Sequence, residues 1–170
     1  MKTSLAICMV FSLIIAGCTK NATVPQESHY DFAIFLLAND TLSTLDVKNT
    51  SLDALMLASQ PLITTGDVVT YNWSAHELTL TAQGYANYAS VRQKIRSTFG
   101  LPFIVIAAGE KIYLGTFYPL ESSYMHMDLP SVALDSFKGI RICRAPDSTV
   151  TDRRNDPRIY NALLKANKII

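Results

Sequence analysis

The chain has 170 residues with 15 Lys and Arg against 14 Asp and Glu, a formal net charge of +1, and a hydrophobic fraction of 49%. A length of this order suits one ordinary domain with a substantial core. Balanced charge leaves no electrostatic footprint for nucleic acid, and the late arginines Arg141, Arg144, Arg153, Arg154 and Arg158 are interleaved with Asp147, Asp152 and Asp156, which reads as a mixed solvated surface.

The first element is a short apolar segment at the amino end. Lys2 precedes an apolar run from Leu5 to Ile15, interrupted only by Ser12, and the small residues Ala16 and Gly17 lead into Cys18. The run is too short to span a bilayer, which needs about 20 apolar residues, and it has the length of a signal-peptide core. Ile15-Ala16-Gly17-Cys18 resembles the lipobox of bacterial lipoproteins. The resemblance implies cleavage that removes residues 1–17, a thioether-linked diacylglycerol on Cys18 and acylation of the new amino terminus. Two or more chains are what stable anchoring requires, since a single myristoyl chain binds only marginally. Thr19 after the cysteine implies, by the same resemblance, the periplasmic side of an outer membrane if the cell is Gram-negative. Residues 18–29, polar and containing Pro25, are expected to form the lipidated cysteine and a stalk, and 30–170 a single globular domain. With Cys8 removed and Cys18 lipidated, Cys143 stands alone, without an internal disulfide partner, and is expected as a small buried residue on a strand.

Phe32 to Ala38 is continuously apolar and ends at Asn39-Asp40, as a buried strand would. The leucines between Thr41 and Pro61 fit neither period, and a strand is expected near Asp53 to Ala58; Thr65 is expected to cap a single turn. His76 to Thr81 alternates, with His76, Leu78 and Leu80 on one side. Tyr85, Tyr88, Val91, Ile95 and Phe99 recur at three and four, which predicts a helix from Ala82 to Thr98 stopped by Gly100 and Pro102. Phe103 to Ala108 and Lys111 to Tyr118 predict a hairpin on a type II′ turn at Gly109-Glu110. Strands at Val132 to Phe137 and Gly139 to Arg144 follow the Pro119–Pro130 loop. Asp156 and Pro157 are expected as N-cap and N1 of a last helix buried along Ile159, Ala162, Leu163 and Ala166. Direct hairpins imply an α+β fold, a mainly antiparallel sheet with two helices packed on one face. The stretch Gly100 to Ile106 followed by Ile112 to Phe117 is similar to hairpins of uncharacterised exported bacterial lipoproteins, and this resemblance implies no activity.

Chemistry-bearing patterns are sparse. There is no nucleophile elbow, phosphate loop, zinc spacing or close carboxylate pair, and no cofactor is expected. Ser122, Ser123, His126 and Asp128 share one loop, and a small hydrolase can be drawn from them. Met125-His126-Met127 offers two thioethers and an imidazole, soft ligands suited to Cu(I), with Trp73 as a cation–π cap. His76 is expected as a core or rim histidine. The aromatic and polar residues Phe117, Tyr118, Ser122, Ser123 and Tyr124 suit contact with a protein or cell-wall partner. The leading expectation is therefore a non-catalytic, lipid-anchored envelope protein that binds such a partner, and alanine at Tyr118 or Tyr124 is expected to weaken capture while sparing the fold.

Overall fold

The computed structural model describes residues 30–119, 121–134 and 139–170. Strands β1 (Phe32–Leu36), β2 (Ile63–Thr64), β5 (Leu101–Ala107), β6 (Glu110–Tyr118) and β7 (Ser131–Ala133) form one sheet in the order β2-β1-β5-β6-β7. Strands β3 (Val68–Asn72), β4 (Glu77–Leu80) and β8 (Gly139–Arg141) form a second, in the order β3-β4-β8. The helices are α1 (Thr44–Val47), α2 (Ala82–Ala89), α3 (Val91–Lys94) and α4 (Pro157–Lys165). Every strand pair is antiparallel except β6 with β7, so the fold is α+β as the hairpin pattern predicts. Cys18 and the lipobox lie outside the described residues, as do the end of the strand expected at Val132 to Phe137 and Leu120 in the loop.

β1 explains its own composition. Its side chains alternate between two apolar layers: Phe32, Ile34 and Leu36 join one, and Ala33, Phe35 and Leu37 join the other. A strand covered on both faces reads as an unbroken apolar run. The first layer holds α2 and α4, through Tyr88, Ile159, Ala162 and Leu163, together with the inner face of the second sheet, through Tyr71, Leu78 and Ile140. The two longest helices do lie on one side, but they share it with three strands. The opposite layer is closed by Val47 of α1 and by Leu55, with Leu42, Leu52 and Leu129 packed against it.

Several local expectations are corrected. Leu52–Ala54 is a 3-10 turn, not part of a strand, and Leu57 alone in this segment bridges to Leu37; the segment bends because Leu52 and Leu55 both plug the opposite layer, while Lys111 Nζ ties down the carbonyls of Asp53 and Leu55. The single turn at Thr65–Asp67 is capped by Thr64, not Thr65: the Asp67 carboxylate accepts from the Thr64 N–H and hydroxyl, both at 2.8 Å. The long helix breaks at Ser90, whose hydroxyl takes the Asn87 carbonyl at 2.6 Å in competition with the helical ladder, and Ile95 is already extended. The hairpin turn is one residue earlier than expected. Ala108 and Gly109 both have positive φ, 52° and 78°, which is a type I′ turn, whereas type II′ needs it only at the first corner. β7 lies parallel to β6, a pairing that requires a crossover of about a dozen residues, which the 119–130 loop supplies. Cys143 is exposed, because Ile142 and Ala145 take the inward positions around it.

The last helix begins as predicted, with the Asp156 side chain accepting from the Arg158 N–H at 3.0 Å and Pro157 in the first turn. It ends at Lys165; Asn167 beyond it has φ 55°, and the tail turns back to pair with β3 through the Tyr71 N–H and the Lys168 carbonyl at 2.6 Å.

Candidate functional site

The main sheet has two distinct ends. At one, the I′ turn is tied to the start of β1: the Ala108 N–H donates to the Asp31 carbonyl at 2.9 Å and the Gly109 N–H to the Tyr30 carbonyl at 3.1 Å. Antiparallel register places the end of β1, the start of β5 and the end of β6 together at the other, through the pairs Leu36 with Phe103 and Leu101 with Phe117. The first described residue, Tyr30, is thus at the turn end. The 119–130 loop leaves from the opposite end, and so does a cleft of about 500 Å³ between Leu37–Asp40, Leu101–Pro102 and the α2–α3 junction.

The loop is organised around His126, which is 1% exposed. Its backbone N–H donates to the Tyr118 hydroxyl at 2.5 Å, and its Nε2 lies 3.0 Å from the Phe99 carbonyl, so this nitrogen carries the proton. Nδ1 is buried and has no hydrogen-bond partner among the described residues. Tyr118 stacks on the imidazole at 5.9 Å between centroids, Tyr124 meets it edge-on at 4.9 Å, and Phe99 in turn meets Tyr124 at 4.9 Å. Burial raises the Tyr118 hydroxyl above its ordinary value and keeps it neutral. Ser122 donates to the Thr98 carbonyl at 2.8 Å and accepts from the Tyr124 N–H at 3.2 Å, pinning the loop to the segment before β5. Tyr118→Phe removes the acceptor of a buried N–H and should cost about 1–3 kcal/mol in urea unfolding; a loss below half a kcal/mol would show that the N–H finds water instead.

These contacts correct several expectations. Phe117 is 0% exposed and meets Phe103 in a tilted ring contact at 4.6 Å, so no partner reaches it. Tyr118 is 7% exposed, and alanine there strikes the fold rather than a surface contact. Ser123 and the outer edge of Tyr124 remain accessible. Met125 and Met127 are each 57% exposed while the imidazole between them points inward, so the three soft ligands are not gathered on one side. Trp73 packs instead against Tyr160 at 5.0 Å and His76 at 5.5 Å in the second sheet. The drawn triad is dispersed too: Ser122 bonds Thr98, His126 bonds Phe99, and Asp128 lies 3.7 Å from Lys48. Among the described residues no group of three His, Cys, Asp or Glu is placed to hold a metal ion.

Several large apolar side chains reach solvent around this end. Phe99, Met125, Met127 and Leu45 are all exposed large side chains. Leu45 belongs to α1, which is docked by a Thr44 N–H to Gly100 carbonyl bond of 3.1 Å and by a buried Thr44–Thr116 hydroxyl pair at 2.8 Å. Sequence reasoning missed Phe99 and Leu45 as surface residues. Phe99 continued the helical stripe, and nothing in the spacing announced that the helix would end before it.

His76 is the other histidine with unusual surroundings. It is buried, has φ 50°, and its Nδ1 is 2.9 Å from the Tyr71 hydroxyl, so it serves the core as expected, although β4 itself starts only at Glu77. Burial first, and the Arg154 guanidinium second, push its pKa below the ordinary value. An unfolded chain therefore takes up this proton first as the pH falls below about 6.5. Stability should be level above that pH and decline below it, until the folded ring also titrates. His76→Asn, which tolerates the left-handed backbone, should remove that slope in denaturant midpoints measured against pH. The carboxylates of Asp152 and Asp156, held low by hydrogen bonds from Arg154 and Arg158, lose their contribution only below about pH 4, so the two windows separate. An unchanged slope in His76→Asn would overturn the assignment.

No protein-family model matches this chain, and comparison with curated proteins and with solved structures found no similar protein. No helix among the described residues is long and apolar enough to cross a membrane.

Proposed function

We propose that this chain is a bacterial envelope lipoprotein, cleaved before Cys18 and lipidated on that residue, whose folded body is a non-catalytic module for binding an envelope protein or the cell wall. One observation carries the binding role. Tyr30, the first described residue, is hydrogen-bonded to the Ala108-Gly109 turn, while the cleft and the exposed Phe99, Met125 and Met127 belong to the other end of the main sheet. A tether at one end and an apolar, groove-bearing surface at the other suit a module held on a bilayer and directed away from it. The eleven residues between Cys18 and Tyr30, at roughly 3.3 Å each when extended, allow a reach of a few tens of Å. Clustered exposed apolar side chains of this kind mark interaction sites on otherwise soluble surfaces.

Two measurements test the reading. Labelled palmitate should enter the expressed protein and be lost in Cys18→Ala. A photo-crosslinking residue at Met125 should capture an envelope component that the same residue at Asp31, beside the turn, does not. Palmitate absent from the wild-type chain would remove the anchor, and equal capture at both positions would remove the directed surface.

A further inference from the structure

The cleft exists because a proline interrupts a ladder. β1 turns the carbonyls of Ile34 and Leu36 toward Leu62 and Ala58, so those of its alternate residues point toward β5. The register of β1 with β5 pairs Leu36 with Phe103, and one step further sets Leu37 against Pro102. Proline has no N–H, so the Leu37 carbonyl lacks the donor that its place in an antiparallel ladder calls for. The two strands stop pairing there, and the cleft opens over Leu36, Leu37, Pro61, Leu62, Leu101 and Pro102. Its volume of about 500 Å³ falls in the range of small-molecule sites, roughly 300–1,000 Å³.

The rim adds charge of both signs. Asp40 follows the end of β1, and Lys94 closes α3. Neither takes part in an ion pair among the described residues, whereas Arg154, Arg158, Lys48 and Lys165 all do. Asn87 and Ser90, from the helix break, add polar groups beside Lys94. An apolar floor, a strand carbonyl without its donor, an unpaired carboxylate and an unpaired ammonium are complementary to one kind of ligand: an apolar body carrying its own ammonium and carboxylate.

We propose that this cleft binds short peptides with free termini. The peptide ammonium is taken by Asp40 and the Leu37 carbonyl, its carboxylate by Lys94, and an aliphatic side chain lies on the leucine and proline floor. The assignment names a ligand class for the binding end described above and rests on that reading only for the direction in which the cleft faces.

The test is titration of the purified full-length chain in detergent with leucyl-leucine, N-acetyl-leucyl-leucine and leucyl-leucinamide, read by amide chemical shifts. Leucyl-leucine should shift residues 37–40, 87–94, 101 and 103. Blocking either terminus should weaken binding about tenfold or more, the scale of one lost charge-assisted hydrogen bond. Asp40→Asn should weaken leucyl-leucine but leave the acetylated peptide unchanged, and Lys94→Gln should weaken leucyl-leucine but leave the amide unchanged. Both side chains are exposed, so neither variant threatens the fold. Absence of shifts at roughly 10 mM peptide, shifts confined to other residues, or equal affinity for free and blocked peptides would each overturn the proposal. These outcomes are independent of palmitate labelling and crosslinking, so failure here is distinguishable from failure of the anchor or of the partner.

Discussion

Phe117→Ala should destabilise the folded chain by about 3–5 kcal/mol, the range for removing a buried aromatic ring. The ring has no exposed surface, packs at a tilt against Phe103 and lies 6.2 Å from Tyr88, so its loss opens a void between β5, β6 and α2 that these neighbours do not close. A thermal midpoint lower by about 6–20 °C is the corresponding shift for a domain of this size. The measurement separates two roles for the residue. A surface contact would leave unfolding within a fraction of a kcal/mol and change only partner capture. A core ring changes unfolding first, and any effect on capture follows from it. A midpoint within 2 °C of wild type would overturn the placement.

Gly100→Ala should cost about 2–5 kcal/mol, combining a left-handed residue with overpacking. Gly100 has φ 82°, and a Cβ there would sit 2.2 Å from Thr116 Oγ1 and 3.0 Å from the Phe117 carbonyl oxygen. The threonine cannot step aside, since it is 0% exposed and its hydroxyl is bonded to Thr44. The same glycine supplies the carbonyl that docks α1 beside the binding end. The variant should therefore lose stability and also alter amide shifts at Thr44 and Leu45. Gly66→Ala is the control, because its Cβ would meet nothing nearer than 3.5 Å and its φ is ordinary, so its cost should stay below about 1 kcal/mol. Equal effects at the two glycines would remove the steric argument.

Some of this molecule is written locally and some is not. The runs Phe32 to Ala38 and Phe103 to Ala108 read correctly as strands, because a strand buried on both faces is apolar at every position. The same property hid their partners, since without alternation nothing says which side chains enter which layer. Asp156-Pro157 announced a helix start, because a cap is a contact within one turn. The helix from Ala82 was overextended for the complementary reason: the apolar spacing continues past Ser90 to Phe99, but a hydroxyl competing for the Asn87 carbonyl breaks the backbone. Spacing records which residues prefer to be buried, not whether the chain between them stays helical.

The binding end shows the same division. The loop from Pro119 to Pro130 was legible as aromatic and polar, yet whether Phe117, Tyr118 and His126 face partner or core depends on Phe99 and Phe103, which are distant in sequence. The cleft was not legible at all, for it opens just past the last β1–β5 pair, Leu36 with Phe103, and that register has no local signature.

The amino-acid order alone determined the apolar strands β1, β5 and β6, the cap of the last helix, the absence of any charge bias toward nucleic acid, and the likeness of Ile15 to Cys18 to a lipobox, because each is a matter of neighbouring residues or of bulk composition. Tertiary structure alone decided that Phe117 and His126 are buried, that a second sheet shares the helical face, and that proline in β5 parts two strands at the end remote from Tyr30. Burial and strand register are long-range quantities, set by which segments meet, and no window of the chain contains them.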